Sequence, residues 1–520
     1  MADENGKLRI IGKPWMKVDA MGKVKGETIF ADDVILPRMA YCKILRSPHP
    51  HALIKFVDPS PALKRPGVLA VITGKDLPIK YGILPVSQDE EALCTEKVRL
   101  VGDPVAAVAA LDEETAEAAL EEIIVEYEPL PAYMSIDEAL EGDVQIHDYA
   151  EKGNIHKHVS LEFGDVAAGF AAADHIREDV FFYQGNNHLA MEQHAAVAQY
   201  DGQRLTLWSS TQTPHYVHRA LEQVLEIPRS RIRVSATPNG GGFGGKTDPF
   251  PHEIVVCKLA MMTGRPVKCT LTREEVFYTH RGRHPVLMWV KTGVKKDGTI
   301  TAMHFRSHLD GGAYGSYGVA STYYTGALQT VTYPIANYKF EAIRVFTNKP
   351  PCGPKRGHGT PQPRFAVEVQ LDKIAQDLGI NPADLRLNHI HPAFTKTANH
   401  LTVTTIGLDA CIEKVVEASG FREKYGRLAE GKGIGLACGS YLSGAGLPVY
   451  WNKMPHSGVQ LKIDRGGGVA VFCGSTDIGQ GSTSVLAYIV AEELGLCLED
   501  VVVYTADTDL TPVDLGSYSS

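Results

Sequence analysis

The sequence contains no C-x-x-C pair, although nine cysteines occur among its 520 residues. Cysteine-ligated iron–sulfur clusters and structural zinc sites usually show such closely spaced pairs. Single cysteines in a reducing compartment are mostly small buried apolar side chains. We therefore expect the chain to carry no cysteine-held metal centre of its own. The cysteines are Cys42, Cys94, Cys257, Cys269, Cys352, Cys411, Cys438, Cys473 and Cys497.

Long apolar runs, an excess of basic residues and an apolar leader are also missing. No run reaches the roughly 18 apolar residues that a membrane-spanning helix needs. The net charge of −9 leaves no basic surface for nucleic acid. The polar start MADENGKLRI lacks the apolar core of a signal peptide. The sequence therefore predicts a cytoplasmic protein with neither nucleic acid nor a membrane as a partner.

The length predicts several domains, since one domain takes roughly 150 residues. Residues 15–135 alternate short strands with a helix that Asp112 can cap, which indicates a compact α/β module. Residues 136–400 and 401–520 alternate strands, glycine-rich loops and helices, so the predicted fold class is α/β (α+β). The chain stops at DLGSYSS directly after a strand, and we expect the last region to continue beyond Ser520.

Glycine is abundant, with 50 residues, and one glycine loop matches a nucleotide-binding signature. The segment NGGGFGGKTDPF fits the pattern G-x-x-x-x-G-K-[ST] over residues 240–247. A phosphate-binding loop needs a helix that begins at its lysine, but Pro249 and Pro251 would interrupt that helix. We therefore predict a helix start at residues 250–252 and no ATP binding.

A second loop, GSTDIGQGSTS at 474–484, has the same context between a strand and a helix. Two such units present backbone N–H groups and helix N-termini, which together can clamp a diphosphate or another polyanion. A tight strand-to-helix crossover is the simpler interpretation of the first loop, but it does not explain the second. The pattern predicts a large phosphorylated cofactor held mainly by backbone.

Four ordered motifs make the chain similar to a known family over essentially its whole length. They are STQTPH at 210–215, GGGFGGK at 240–246, GPKRGHGTPQ at 353–362 and GSTDIGQG at 474–481. These motifs resemble those of the xanthine oxidase family of molybdenum hydroxylases, and within it the alpha subunits of 4-hydroxybenzoyl-CoA reductases. The resemblance implies a hammerhead-like α/β domain at 15–135. It also implies two molybdopterin-binding parts at 136–400 and 401–520, the second incomplete at Ser520.

The resemblance further implies that a pterin dithiolene, not a side chain, holds the molybdenum. The catalytic residues would be Gln212, donating a hydrogen bond near the metal's apical oxygen, and Arg356, closing the other side. Tyr323 and Tyr324 would line a substrate funnel. The implied cofactor-binding residues are Gln212, Gly242, Phe243, Gly244, Arg356, Gly479, Gln480, Gly481, Ser517, Tyr518, Ser519 and Ser520.

Each of these residues also has a plainer interpretation. Taken alone, Gln212 before a helix is typical of a capping residue, Arg356 of an ion-pair partner, and the tyrosines of ordinary packing. His188 and His194 are interpreted as buried, satisfied histidines rather than as a metal site.

Two departures from the family pattern are informative. Purine-oxidising members have a glutamate where this chain has Thr247, which makes xanthine a less suitable substrate here. The family's general-base glutamate lies in a G-x-G-E segment near the C-terminus, and no such segment occurs within residues 1–520.

The implied cofactor is molybdenum with molybdopterin, as the cytosine dinucleotide. The implied reaction is reductive removal of the phenolic hydroxyl of 4-hydroxybenzoyl-CoA, giving benzoyl-CoA and water in anaerobic aromatic degradation. Electrons would come from a donor such as ferredoxin through an iron–sulfur subunit and an FAD-containing flavin subunit, in a dimeric complex. Two alternatives stay open: a hydroxylase that oxidises an aldehyde or N-heterocycle, and, from another class, a nucleotide-binding ATPase or non-catalytic binding module.

Overall fold

A computed structural model describes residues 8–441 and 457–517, and it shows a mixed α/β fold. In the N-terminal region the strands are β1 (Ala40–Arg46), β2 (Ala52–Asp58), β3 (Val68–Thr73), β4 (Lys97–Val98), β5 (Pro104–Ala110) and β6 (Ile124–Pro129). The helices are α1 (Ala20–Lys25), α2 (Ser60–Leu63), α3 (Glu113–Leu120) and α4 (Ile136–Glu141). Helix α3 begins where the sequence predicts, because Asp112 accepts a hydrogen bond from the amide of Thr115.

The central region contains most of the regular structure. Its strands are β7 (Ile155–Phe163), β8 (His175–Tyr183), β9 (Ala195–Tyr200), β10 (Leu205–Ser209), β11 (Ile232–Ala236), β12 (Val267–Thr270), β13 (Val286–Val294), β14 (Ile300–Asp310), β15 (Tyr338–Val345), β16 (Thr395–Lys396) and β17 (Thr402–Val403). Its helices are α5 (Val166–Ala171), α6 (Pro214–Leu225), α7 (Pro251–Thr263), α8 (Arg273–Thr279), α9 (Gly318–Ala327), α10 (Gln329–Thr332), α11 (Pro361–Leu378) and α12 (Pro382–Leu387).

The last region is shorter. It contains α13 (Leu408–Ser419), α14 (Phe421–Lys424), β18 (Val459–Ile463), β19 (Val469–Cys473), α15 (Ser482–Leu494) and β20 (Val501–Thr505). Single 3-10 turns lie at Gly74–Asp76, Arg229–Arg231 and Leu498–Asp500. No helix in the described part of the chain is long and apolar enough to cross a membrane.

The largest sheet joins the N-terminal and central regions. Its seven strands follow the order β11-β10-β9-β12-β1-β5-β3, and β1 pairs with β12 in parallel. The N-terminal and central regions therefore share one sheet, because the strands β1, β5 and β3 extend it from β12. The core around this sheet includes Cys42 of β1, Ile254 of α7 and Val267 of β12, all buried.

The other sheets build two further layers. A five-stranded sheet, ordered β7-β15-β14-β13-β8, packs against α11 and shares a core with α12 and α13. In the three-stranded sheet β18-β19-β20, the strands β19 and β20 pack against α15, and Ile10 of the N-terminal segment joins that core. The remaining sheets of the described residues are the pair β16-β17 and a three-stranded sheet in which β4 and β6 lie on either side of β2.

Candidate functional site

Gln212 lies between β10 and α6, and it is buried with 1% of its surface exposed. Its Oε1 accepts hydrogen bonds from the amides of Gly244 at 3.0 Å and Lys246 at 3.3 Å. Its Nε2 donates to the carbonyl of Ser517 at 2.7 Å, and the second Nε2 hydrogen has no acceptor in the described part of the chain. Gln212 therefore joins the first glycine loop to the C-terminal end of the described chain and keeps one donor free.

The first glycine loop, residues 240–247, connects β11 to α7. Helix α7 begins at Pro251, which confirms the predicted start, and the amide of Phe250 donates to Glu253 at 2.8 Å. The amides of Gly241, Gly242 and Phe243 have no acceptor within residues 8–441 and 457–517. Gly242 is buried, and a buried backbone N–H almost always has a partner. Gly242 therefore presents a buried donor that has no acceptor among the described residues, which makes this loop a candidate binding cradle.

Close packing explains why this loop is made of glycine. A Cβ atom on Gly242 would lie 2.3 Å from Oε1 of Gln212, and one on Gly244 would lie 2.6 Å from the carbonyl oxygen of Pro354. Phe243 has a φ of 55°, and its side chain is 41% exposed. The carbonyl of Phe243 accepts the amide of Arg356 at 2.9 Å, so the loops at 240–247 and 353–359 are joined directly.

Lys246, the lysine of the nucleotide-loop pattern, is not available to a phosphate. Its Nζ lies 2.6 Å from Oε2 of Glu192, and only 1% of its side chain is exposed. The same Oε2 accepts the amide of Gly240 at 2.7 Å, while Oε1 of Glu192 is buried with no partner in the described structure. Burial lowers the pKa of Lys246 against the opposing effect of Glu192. Lys246 therefore has a structural role, because it and the amide of Gly240 at the other end of the loop bind the same oxygen of Glu192.

The two histidines left out of the predicted site support the same loops. His188 contacts the carbonyl of Pro354 at 2.7 Å through Nε2, and His194 contacts that of Gly245 at 3.0 Å. Burial lowers the pKa of His188 to about 3, so its ring is neutral. No cluster of metal-ligating side chains occurs among the residues that the structure describes. Each ring therefore holds a backbone carbonyl of one of these loops, that of Pro354 or that of Gly245.

The two tyrosines predicted to line the substrate funnel, Tyr323 and Tyr324, contact different parts of the structure. The ring of Tyr324 meets that of His358 edge-on, with centroids 5.4 Å apart. His358 belongs to the 353–359 loop, whose Arg356 has an exposed side chain beside the first glycine loop. Tyr323 instead lies near the Lys157 ammonium, 5.9 Å from the ring centroid, and is 38% exposed. The fold therefore brings Tyr324, but not Tyr323, to the loop that carries Arg356.

The second glycine loop differs in its donors. Asp477 accepts the amides of Gly479 at 2.8 Å, Gly481 at 3.3 Å and Thr483 at 3.2 Å. Oε1 of Gln480 accepts the amide of Ile478 at 2.7 Å. An aspartate of the loop therefore lies at the N-terminus of α15, where a phosphate was expected. The assignment of Gly479, Gln480 and Gly481 to the cofactor stays a prediction.

Ser517 lies where the two glycine loops approach each other. Its carbonyl accepts Gln212, its amide donates to the carbonyl of Gln212 at 3.1 Å, and its hydroxyl contacts Gln480 at 3.3 Å. Tyr518, Ser519 and Ser520, which the motif also assigns to the cofactor, fall outside the described residues.

Several residues that shape the site gave no usable signal in the sequence. Glu192 has a partner 54 residues away in Lys246. Arg281 lies between Asp248, directly after the first glycine loop, and Glu90 of the N-terminal region. Only the run of acidic residues at 89–91, unusual for a buried segment, could have indicated such a cluster.

Comparison with known proteins agrees with this geometry. Models described as molybdopterin cofactor-binding domains match residues 146–390 and 412–520. A third, described as the aldehyde oxidase and xanthine dehydrogenase a/b hammerhead domain, matches residues 25–131. Fold and site together define a molybdopterin-binding subunit.

Individual relatives narrow the class. The chain is 35% identical to the xanthine dehydrogenase molybdenum-binding subunit of Escherichia coli O157:H7, over 97% of this chain and 69% of that protein. It is 36% identical to the nicotinate dehydrogenase large molybdopterin subunit of Eubacterium barkeri, over 80% of this chain and 98% of that one. The solved structure of quinoline 2-oxidoreductase from Pseudomonas putida 86 aligns with a TM-score of 0.91 at 30% identity, covering 99% of this chain and 68% of that one. The chain belongs to the molybdenum-binding subunits of the xanthine oxidase family.

The first glycine loop fits the cofactor of that family. Its three free amides and the free hydrogen on Nε2 of Gln212 are donors that oxygen or sulfur atoms of a bound cofactor can accept. Gly241, Gly242, Phe243 and Gln212 are therefore the residues that would hold it.

Proposed function

We propose that this chain is the cofactor subunit of a molybdenum hydroxylase that oxidises a ring carbon of an aromatic N-heterocycle. The row of free amides beside Gln212 carries the proposal. These donors are fixed before any ligand arrives, and preorganised donors aimed at developing negative charge give the largest single term in many enzymes. The names of its relatives, which mention xanthine, nicotinate and quinoline, support an N-heterocycle as the substrate class.

The bound molybdopterin would supply the two-electron redox chemistry and the oxygen atom that is transferred. The chain's own residues bind and orient. Gln212 and the Gly241–Phe243 amides donate hydrogen bonds, and the exposed ring of Phe243 offers an apolar face to a flat substrate. The ring pair of Tyr324 and His358 lies along the neighbouring loop. Iron–sulfur and flavin subunits, and the cytosine dinucleotide form of the cofactor, are parts of the proposal.

Thr247 narrows the substrate class further. Its hydroxyl donates to the carbonyl of Gly244 at 2.8 Å, and its side chain is fully buried. Thr247 therefore stabilises the loop by its bond to Gly244, and its hydroxyl cannot serve a purine as an anionic acceptor. We expect pyridine- or quinoline-type rings to be better substrates than xanthine.

The motif resemblance to 4-hydroxybenzoyl-CoA reductases gains no support from the relatives described above, none of which is named as a thioester reductase. The reductive reaction, with its acyl-CoA substrate and ferredoxin donor, is therefore the second candidate. An aldehyde remains within the hydroxylase class, because the solved aldehyde oxidoreductase from Desulfovibrio gigas aligns with a TM-score of 0.89 at 27% identity.

The test is a substrate comparison with the cofactor-loaded complex. Nicotinate, quinoline, xanthine and benzaldehyde are each supplied with an artificial electron acceptor, and 4-hydroxybenzoyl-CoA with a strong reductant. Oxidation of a pyridine or quinoline ring in preference to xanthine is the expected result. Formation of benzoyl-CoA without oxidation of any heterocycle would overturn the proposal in favour of the reductase.

A further inference from the structure

Three consecutive acidic residues of the N-terminal region, Asp89, Glu90 and Glu91, are buried against the central region. Their exposed fractions are 3%, 3% and 6%. Charged side chains are almost never buried unless they are paired. Asp89 accepts the amide of Gly315 at 2.8 Å, and Glu91 lies 3.6 Å from Arg99. The middle residue, Glu90, is connected to the candidate site through Arg281.

Glu90 pairs with Arg281, which is itself 3% exposed. The guanidinium reaches in three directions: Nη2 to Glu90, Nε to Asp248 at 3.1 Å, and Nη1 to the carbonyl of Thr279 at 2.8 Å. Its flat face lies 4.9 Å from the centroid of the Phe250 ring. A planar fork bound on three edges has one orientation available, so Arg281 fixes the distance between its two carboxylates.

Asp248 carries this connection into the first glycine loop. Its Oδ2 also accepts the hydroxyl of Ser316 at 2.6 Å. Its Oδ1 lies 3.4 Å from the hydroxyl of Thr247, which in turn donates to the carbonyl of Gly244. The path from Glu90 therefore ends at the carbonyl of Gly244, directly after the Gly241–Phe243 amides.

We propose that Arg281 is a positioning residue for the first glycine loop, tying Asp248 at the loop's end to Glu90 of the N-terminal region. The N-terminal region thereby sets the direction in which the Gly241–Phe243 amides point. The consequence for catalysis rests on the proposed function, but the connection itself is a property of the chain.

The charge balance of this cluster gives it a pH dependence. Two carboxylates share one guanidinium, and Tyr81, Asp89, Asp103 and Glu253 are the other titratable groups that face them. Burial raises the pKa of Glu90 to about 8 and also raises that of Asp248, both against the opposing charge of Arg281. At neutral pH Glu90 therefore carries a proton.

The sign of the effect follows from the raised pKa. The folded protein keeps the proton on Glu90 to about pH 8, whereas an unfolded glutamate loses it near pH 4.3. The stabilisation by this group is complete below the unfolded pKa and is lost as the pH rises through the folded one. Above pH 8 the added buried negative charge loosens the connection.

The test measures hydrogen–deuterium exchange in the cofactor-loaded complex, in peptides that cover residues 240–249. Arg281→Lys keeps the charge but loses the planar fork, and we expect exchange in these peptides to become about tenfold faster, with α7 unchanged. Glu90→Gln mimics the protonated carboxyl. It should match the wild type at pH 7 and, unlike the wild type, show no loosening at pH 9 after correction for intrinsic exchange.

Glu222→Gln is the matched control, because Glu222 pairs with Arg229 on the surface and both are well exposed. It should behave as the wild type at both pH values. If Arg281→Lys does not yield a folded complex, Asp248→Asn replaces it, with an expected several-fold acceleration. Exchange within twofold of the wild type in the folded variant, or equal acceleration throughout α7, would overturn the proposal.

A kinetic readout separates positioning from general stability. With a substrate that the complex accepts, Arg281→Lys should lower kcat about tenfold while KM changes less than threefold, since the loop faces the cofactor rather than the distant parts of the substrate. The exchange measurement needs no substrate. If the heterocycle assay fails, the exchange measurement still tests the positioning role of Arg281.

Discussion

The two glycine loops lie in the same order of elements, yet they differ in whether their backbone amides already have acceptors. Each follows a strand and precedes a helix, β11 and α7 for the first, β19 and α15 for the second. In the first loop, three consecutive amides have no acceptor in the described structure. In the second, Asp477 accepts three amides and Gln480 a fourth. A strand–glycine loop–helix unit therefore offers its backbone donors to a ligand only where its own side chains leave them free.

The source of the supporting side chains explains the difference. The first loop is held by residues distant in sequence: Gln212, Glu192 and, through Asp248, Arg281. Those contacts bind the two ends of the loop and leave the Gly241–Phe243 amides without an acceptor among the described residues. The second loop is held by an aspartate within it, which lies where an anion would bind. Four variants test this contrast, in order of decreasing expected effect.

The largest effect is expected from Gly242→Ala. The new Cβ would meet Oε1 of Gln212 at 2.3 Å, so either the loop or the glutamine must move. Displacements of about 1 Å near reacting groups cost roughly 100-fold in rate. We expect a loss of that size in kcat/KM, together with loss of molybdenum after dialysis.

Gly479→Ala is the counterpart in the second loop. A Cβ there meets nothing within 4 Å, and only the positive φ of 105° opposes it. We expect about 1–2 kcal/mol of destabilisation and nearly full molybdenum content. Equal loss of metal in both variants would contradict the contrast and indicate that both loops hold the cofactor.

Gln212→Ala comes next. It removes the acceptor of two loop amides and a side-chain N–H that has no acceptor among the described residues. Residues that orient a metal centre indirectly are typically worth about 10–100-fold in affinity or activity. We expect a fall of that order in kcat, measured beside the molybdenum content of the complex.

The matched variant is Gln480→Ala, because the amide of Gln480 bonds, among the described residues, within the second loop and to Ser517. Activity within about threefold of the wild type is expected, because an exposed hydrogen bond contributes little. A large loss of cofactor would instead confirm the motif-based assignment of Gln480.

Lys246→Met should act mainly on stability. It would leave the carboxylate of Glu192 buried with only the amide of Gly240, and breaking a buried pair costs about 3–5 kcal/mol. Denaturant unfolding measures the loss, and adding Glu192→Gln should recover part of it. The exposed pair of Lys55 with Glu128 gives the control, where Lys55→Met should cost less than about 1 kcal/mol. A similar cost in both would show that Lys246 is not a buried partner.

The smallest effect is expected from Asp477→Ala. Loss of a side chain that accepts helix-terminal amides costs about 1 kcal/mol. The freed amides should not impair activity by more than about threefold. Tighter binding of phosphate to this variant than to the wild type, measured by calorimetry, would show that Asp477 occupies an anion site, whereas no change would show that it is only a cap.

Much of the fold follows from local patterns. Alternating and amphipathic segments predict the strands and helices around both loops, and Pro251 predicts the start of α7. The motifs also identify the family, and the structure joins Gln212, Gly244 and Arg356 through neighbouring loops. The elements are predictable because each depends on residues close together in the chain, and the motifs because each is short, although Gln212, Gly244 and Arg356 come from three separate motifs.

The remaining features depend on distance in space. Glu192 finds Lys246, and Arg281 joins Glu90 to Asp248 over 191 and 33 positions. No local pattern encodes such pairings, because burial selects them only after the sheets have formed. The shared seven-stranded sheet has the same origin, since β1 pairs with β12 across more than 200 residues.

By itself, the sequence determined the order of the elements, the two glycine loops and the family to which the chain belongs. Only the tertiary structure decided which loop keeps its donors free. The physical reason is that a backbone N–H is available to a ligand only when no nearer acceptor satisfies it. In the second loop that acceptor lies two residues away; around the first, long-range packing supplies partners for the rim and leaves the centre open.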